Sequence, residues 1–541
     1  MVSLLSCYQS HPRQGFANPA GTASALQTFS GWRIFGSKEN EFLGVKGMRD
    51  RTMGRKDRHF ERMTPEKETA LRWIDSHGRV YEKIARYLWE NPELSLVEFR
   101  SSERLIRYLE ENGFKVNKGI SGMPTAFVAT WGRERPVIGF IAEYDALPNL
   151  SQKRGVATRN PIVPGGPGHG CGHNLLGTSS SMAAIATKIA MEEHDMKGTV
   201  KVFGTPAEET LVGKIVMARD GVFGGTDVVI CWHPEDTNGA DYKSLRAMTS
   251  VKFQFTGKAA HAGSAPESGR SALDAVELMG IGTSLMREHL NRDTSIMHVI
   301  TRGGEVPNIV PSHAEIWYFI RAPRRSQVEE LFDWLKDIGR GAALMTQTEM
   351  AYKLLAATWE ILPNKTLAKV GDLNTNMIGP EPITPEDQKF GEKIIKSLGK
   401  EAKGPAFDTT ITHPDLDRTF PDVEIFKPSW DLGNVSWMIP TLSFAIATKA
   451  IGTPQHSWQM VSQSGSAFAL RAGIRVSQWM AASALDCLTN VKVLSESWKE
   501  LNEYLSKTKF YHPIPPDYKV PSFSDLYGTN PEGIPPSQKK P

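Results

Sequence analysis

The stretch Gly168-His169-Gly170-Cys171-Gly172-His173-Asn174-Leu175-Leu176-Gly177 places a thiol and two imidazoles in a glycine-rich turn that runs into an apolar segment. Glycine on both sides of Cys171 lets the backbone bend until the sulfur and the His173 ring converge, as binding a metal ion requires. A phosphate cradle is the other use of such a loop, but the lysine of a P-loop is missing. Further ligand types follow downstream. Glu208-Glu209 come after an apolar run and Pro206, His233 lies in Cys231-Trp232-His233-Pro234 with Glu235 as a substitute donor, and His456 lies in Gly452-Thr453-Pro454-Gln455-His456-Ser457-Trp458. Singly, a glutamate pair reads as a solvated face and a histidine as a hydrogen-bonded structural group. Their shared position after apolar runs favours ligation.

Composition narrows the classes. With 541 residues, 40% hydrophobic and 23% charged, the chain is long enough for about two or three cores. A formal net charge of +3 leaves no electrostatic footprint for nucleic acid. No window approaches roughly 18 uninterrupted apolar residues, so no membrane span is expected. Cys7, Cys171, Cys231 and Cys487 are too scattered for a disulfide framework, which points to metal or catalytic use of at least one and to a cytoplasmic protein. Residues 1–63 are acid-poor at first and then mixed in charge. They read either as a transit-like leader or as an over-long start, and in both cases as disordered.

From Thr64 the pattern turns helical. Thr64-Pro65-Glu66-Lys67 offers a cap with proline at the first helical position, Ala70, Ile74, Ile84 and Leu88 recur at helical spacing toward Asn91-Pro92, and a second helix runs Val97 to Leu109. Short apolar runs then alternate with helices: 126–130, 137–141, 200–203 and 228–231. This is an α/β rhythm with a buried sheet, and in open α/β sheets sites collect at the carboxyl ends of strands. Near Ser250 the order becomes βαββαβ, that of a small α+β unit. Strands are expected over 251–255, 295–301, 314–320 and 347–352, and helices over 272–289 and 327–339. Because His456 follows this unit, residues 64–246 and 363–505 form one domain, 247–362 an insertion in it, and 506–541 a Pro-rich tail that is extended or disordered.

Cys171, His173, Glu209, His233 and His456 supply donors for two divalent ions, with the thiolate able to bridge. Two ions roughly 3.5–4 Å apart acidify a shared water and polarise a carbonyl. Glu208 and Glu209, read as neighbours at a strand end, face opposite ways, so that Glu209 ligates while Glu208 acts as general base. Asp145, in Glu143-Tyr144-Asp145-Ala146-Leu147-Pro148, either caps a turn or holds a ligand imidazole from behind. The donor set suits zinc or manganese.

Six ordered segments carry a resemblance: 142–148, 168–174, Pro206-Ala207-Glu208-Glu209, Gly257-Lys258-Ala259-Ala260-His261-Ala262-Gly263, Pro307-Asn308-Ile309-Val310-Pro311 and 452–459. Over about Glu66 to Lys499 the chain resembles the M20 metallopeptidase family, specifically its amidohydrolase branch. The resemblance implies an α/β di-metal catalytic domain with an inserted α+β lid that also dimerises. It implies hydrolysis of an N-acyl or N-aroyl amino acid such as p-aminobenzoyl-glutamate by a metal-held hydroxide. The alternatives are a dipeptidase of the same family and a hydrolase with Cys171 as nucleophile. The same five ligands and Glu208 are implied. His261 would reach into the partner subunit's site as oxyanion donor, the alternative being a solvated or capping histidine. Asn308 and Arg321 would contact the substrate carboxylate, although Arg321 also fits a structural salt bridge. A homodimer is expected, with a second kind of subunit as a further option. The pattern departs at Ser429-Trp430-Asp431-Leu432-Gly433-Asn434, where Thr is expected in place of Trp430 and Asp in place of Asn434. An indole there would reshape the pocket that it lines.

Overall fold

The computed structural model describes residues 62–528. The expected leader, 1–63, lies outside them except for Arg62 and Met63, as does the tail beyond Gly528. The first helical stretch is two helices, Pro65–Ser76 and Gly78–Glu90. The break falls at His77, whose ring stacks on Trp73 at 4.1 Å and whose Nδ1 lies 2.9 Å from the Trp73 carbonyl, so the side chain satisfies the end of its own helix. Among the described residues no helix is long and apolar enough to cross a membrane.

Seven strands make the main sheet, in the order Lys115–Lys118, Phe127–Gly132, Thr199–Gly204, Val137–Ala142, Val228–Glu235, Thr441–Ala447 and Gly239–Asp241. The middle four are parallel and the outer pairings antiparallel. Buried on both faces, the inner strands alternate between two cores. Ile138, Phe140, Val200, Val202, Ile230 and Trp232 pack beneath the long helices His173–Glu193 and Ala467–Thr489. Ile141, Phe203, Val229 and Cys231 face the opposite core with Ile215 and Val216 of the helix Gly213–Arg219. From Val137–Ala142 the chain moves to the neighbour on one side, Thr199–Gly204, and then to the neighbour on the other, Val228–Glu235. That reversal opens a crevice at the carboxyl ends.

The second sheet is antiparallel and four-stranded, in the order Glu349–Thr358, Ala247–Thr256, His313–Ala322 and Ser295–Arg302. Helices Ala272–Arg287 and Arg325–Thr346 cover one face through Val251, Phe253, Tyr318, Met279 and Leu335. The strand expected at 347–352 runs on to Thr358, because Ala356 and Ala357 dive into the core of the first unit. Buried Arg325 clasps the two crossing strands, reaching the carbonyl of Met248 at 3.0 Å and that of Thr358 at 3.5 Å, and donating to Thr249 Oγ1 at 3.0 Å. The outer strand carries exposed Met297, Val299 and Ile300, and the nearby helix exposed Ile281 and Leu285.

The tail is ordered as far as it is described. Ile514 is buried, Tyr518 receives an Arg219 guanidinium on its carbonyl at 2.8 Å, and Asp525 pairs with Lys353 at 2.6 Å. The short helix Phe523–Tyr527 then packs on Leu94 and Val97.

Candidate metal centre

Each expected ligand arrives at the crevice on its own element. Cys171 and His173 flank Gly172, the residue before the helix His173–Glu193, whose φ of 80° belongs to the left-handed region that glycine tolerates. A Cβ there would also stand 3.0 Å from Pro234 Cγ. Glu208 and Glu209 lie not at a strand end but in a turn past Gly204. They are aimed by Ala207, a non-glycine residue with φ 58°. His233 is in the last part of the strand Val228–Glu235. His456, with φ 56°, is tied to the cysteine loop by its N–H, which donates to the Gly170 carbonyl at 2.9 Å. Two ligand-bearing turns therefore hold residues in a sparsely populated backbone region, strain that recurs where a site dictates geometry.

Donor atoms of Cys171, His173 and His233 lie within 4.8 Å of one another, and so do those of Cys171, Glu209 and His456. The Cys171 sulfur is common to both triads, 3.2 Å from His233 Nε2. Glu209 Oε2 is 3.2 Å from His456 Nε2. A third triad joins Glu143, His173 and Glu208, with His173 Nε2 3.4 Å from Glu143 Oε2 and 3.6 Å from Glu208 Oε2.

Asp145 stands behind both ligand triads. Its Oδ1 lies 2.9 Å from His173 Nδ1, and Oδ2 accepts from Ser95 Oγ and from the Glu209 N–H, each at 2.9 Å. A carboxylate only accepts, so the ring proton sits on Nδ1 and the Nε2 lone pair is left facing the site. Burial alone would raise the Asp145 carboxyl, but the His173 bond and charge and the Glu209 N–H hold it below its usual value.

The electrostatics describe a place built for cations. Burial would raise the Cys171 thiol, yet the His233 and His173 imidazoles hold it well below the ordinary range. The imidazoles respond in kind. Against burial, the Cys171 sulfur raises His173 and His233, and the Cys171 and Glu209 contacts push His456 up to about 11. Glu208, 7% exposed, is raised well above its usual value by burial and then by Glu143. Cys171, Glu143, Asp145, Glu208, Glu209 and Asp431 crowd together with Lys214 as their buried lysine. Among the described residues, Glu143 Oε2, His173 Nε2 and Glu209 Oε1 are buried with no hydrogen-bond partner. Orphaned donor atoms of ligand type, converging among buried carboxyl, thiol and imidazole groups, fit divalent metal ions.

Sequence reasoning missed the support of this cluster. Lys214, on the helix Gly213–Arg219, lies 2.8 Å from Glu143 Oε1 and 2.5 Å from Asp431 Oδ1, all three fully buried. Trp430, at the position where threonine is expected, donates its indole N–H to Glu143 Oε1 at 2.8 Å and meets the His233 ring edge-on at 5.4 Å. The indole thus belongs to the wall of the site. Asn434 accepts from the Trp359 N–H at 2.9 Å, a structural bond. No local signal marks this support, because nothing in the sequence around Lys214 tells a buried lysine from an exposed one.

Of the residues expected on the insertion, two lie away from this chain's own cluster and one lies beside it. His261 and Asn308 are exposed on adjoining loops, where the Ala262 N–H donates to the Asn308 carbonyl at 3.0 Å and His261 Nδ1 accepts from the N–H groups of Gly263 and Ser264, each at 3.2 Å. Neither bonds a ligand of this chain's own cluster among the described residues. Arg321 is half-buried on the strand His313–Ala322, close enough to Glu208 for the two charges to interact.

Residues 244–343 match the model of the peptidase dimerisation domain of the M20 family. Over 462 residues the chain is 36% identical to one of the subunits of the p-aminobenzoyl-glutamate hydrolase of Escherichia coli (strain K12), covering 82% of this chain and 96% of that protein. The chain belongs to the M20 family. It is thus a metallo-hydrolase of amide or peptide bonds, with the family's dimerisation domain inserted in its catalytic unit. This M20 protein is also 33% identical over 331 residues to the Xaa-Arg dipeptidase of Mus musculus, covering 59% of this chain and 73% of that one. Its fold is shared with a Bacillus subtilis protein described as a dinuclear metal-binding peptidase of the M20 family, at a TM-score of 0.50 and 18% identity, covering 77% of this chain and all of that one.

Proposed function

We propose that this enzyme hydrolyses the amide bond of an N-acyl or N-aroyl amino acid with two divalent ions. The observation that carries the reading is the shared Cys171 sulfur between two ligand triads, beside a buried carboxylate that belongs to neither. Cys171, His173 and His233 would hold one ion and Cys171, Glu209 and His456 the other. When bound, the ions supply a Lewis acid for the scissile carbonyl and make water acidic enough to attack near neutral pH. Glu208 takes the proton from that water and returns it to the leaving nitrogen. Burial and Glu143 keep its affinity for the proton high enough for both transfers. Asp145 fixes the His173 ring and the Glu209 backbone. Trp430 and the paired Lys214, Glu143 and Asp431 close the site's floor to water.

In this reading His261 works in trans. Its exposure on the insertion, together with the apolar edge of Met297, Val299 and Ile300, supports a homodimer in which His261 of the partner subunit donates to the carbonyl oxygen. The likeness to the mouse dipeptidase favours a second reading, cleavage of a dipeptide at the same centre. A test is metal analysis of the purified protein joined to a screen of N-acyl amino acids, folate fragments and dipeptides after zinc, manganese or cobalt loading. Glu208→Gln should keep its metal and lose about 10²–10⁴-fold in turnover. Full activity in that variant would remove Glu208 from the base role. Activity that survives chelation would instead favour Cys171 as nucleophile.

A further inference from the structure

The catalytic reading gives no task to Glu235, whose nearness to His233 in the chain suggested a substitute donor. Among the described residues it joins neither ligand triad. It stands behind the His233 ring instead. The ring's Nδ1 lies 3.1 Å from the Pro234 carbonyl and 3.4 Å from Glu235 Oε1, while its Nε2 faces the Cys171 sulfur at 3.2 Å. A carbonyl and a carboxylate only accept, so the ring proton is held on Nδ1 and the Nε2 lone pair is left for an ion.

The carboxylate is itself anchored. Its second oxygen, Oε2, accepts from the Lys449 ammonium at 3.1 Å. Lys449 is 3% exposed, and Glu235 is its one ion-pair partner among the described residues. A lysine is seldom buried unless paired, so this contact binds the two groups to one another. Lys449 follows the strand Thr441–Ala447, whose last residue lies opposite Glu235 in the sheet. From there the chain runs on to His456 along the same segment. The Glu235 carbonyl accepts from the Thr448 N–H at 2.9 Å, Asp236 Oδ2 from the Gly452 N–H at 2.8 Å, and the Pro234 carbonyl from Gln455 Nε2 at 2.6 Å. Those three bonds fasten the His456 turn without the Glu235 carboxylate, which is left to act on His233.

Two of the three ligand imidazoles are thus braced from behind, His173 by Asp145 and His233 by Glu235. His456 is not. Its ring meets Glu209 and Cys171 of the cluster itself, no carboxylate outside the cluster comes within ion-pair distance among the described residues, and its side chain is 54% exposed. Asp145 touches a member of each triad, whereas Glu235 touches a member of one.

Resting on the two-ion reading above, we infer that Glu235, anchored by Lys449, is a positioning residue for His233. It tightens the ion held by Cys171, His173 and His233 and leaves the position formed by Cys171, Glu209 and His456 unaffected. It is not itself a ligand.

The test is cobalt binding to the chelator-stripped full-length protein, titrated against a chromophoric competitor in two backgrounds. His456→Ala leaves the Cys171, His173 and His233 position intact, and His233→Ala leaves the other. In the first background Glu235→Gln should weaken cobalt about tenfold, the low end for an orienting carboxylate because the Pro234 carbonyl still holds the ring proton. In the second the ring it acts on is gone, and the same change should stay within about threefold. Lys449→Met should repeat this pattern, and Lys449→Arg, which keeps a cation on the carboxylate, should restore most of the affinity. A change within about threefold in the His456→Ala background overturns the inference. So does an equal loss in both backgrounds, which marks a long-range charge effect or a loosened fold. A loss in Glu235→Gln without one in Lys449→Met overturns the anchoring. Unaltered protein that takes up no cobalt sinks the two-ion reading and the inference with it, whereas two ions bound with no response to Glu235→Gln sink the inference alone.

Discussion

Asp145→Asn tests the centre at the point where its two halves meet. One carboxylate oxygen takes the His173 Nδ1–H and the other takes the Glu209 N–H and the Ser95 hydroxyl, so a single side chain braces a member of each ligand triad. An asparagine has only one accepting oxygen. If that oxygen stays with His173, the new NH₂ confronts the Glu209 N–H across 2.9 Å, donor against donor. If the amide turns over, the NH₂ confronts the His173 Nδ1–H and drives the proton to Nε2, the atom needed as a ligand. Either arrangement costs about 1–3 kcal/mol for a buried unmatched donor. Loss of such an orienting carboxylate weakens metal binding about 10–100-fold, or about 1.4–2.8 kcal/mol. The assay is titration of the chelator-stripped protein with zinc or cobalt against a chromophoric competitor, with Ser95→Ala as a milder control that removes one bond. If Asp145→Asn binds both ions within about threefold of the unaltered protein, the bracing argument is wrong.

Other consequences can be checked in the same preparation. Glu208 is raised by burial and by the Glu143 carboxylate, so activity should rise with pH through a limb above the ordinary carboxylate range; Glu143→Gln removes a negative neighbour and should move that limb of kcat/KM to lower pH. Trp430→Phe keeps the edge-on ring at His233 but strips Glu143 of its indole donor, and should cost about 1–3 kcal/mol in thermal or urea unfolding of the metal-loaded protein. Val299→Glu together with Ile300→Glu charges the exposed edge of the second sheet. It should yield monomers in sedimentation that have lost activity together with the pairing, because each site then lacks the partner's His261. Stripping the metal should lower the unfolding temperature, because the native state alone gathers the triads; an unchanged temperature would argue against bound ions.

Much of the candidate site is legible in the sequence alone, and the reasons differ by element. Cys171 and His173 can be read together because the glycines that let them converge are their chain neighbours. Glu209, His233 and His456 can be read because each follows an apolar run that ends where open α/β sheets place ligands. The sequence is silent on the order of the parallel strands, which sets which candidate ligands meet, since that order comes from side-to-side packing of near-identical apolar runs. The placing of Glu208 and Glu209 in a turn rather than at a strand end was missed because an alanine with positive φ leaves no local signature. Lys214, Glu143 and Asp431 were also missed. They are distant along the chain, and burial of a charged side chain becomes visible only once its partners are assembled. The strand ending at Thr358 was expected to be shorter because its first half faces solvent and its second half enters another core.

The tail folds back so that Phe523 and Tyr527 press on Leu94 and Val97, and between those two lies Ser95, whose hydroxyl holds Asp145. What looks like dispensable Pro-rich sequence is therefore mechanically coupled to the rear of the catalytic machinery. Clipping the chain after Thr508, or fusing a bulky reporter near Gly528, should loosen the Ser95 loop and depress activity without touching a single ligand.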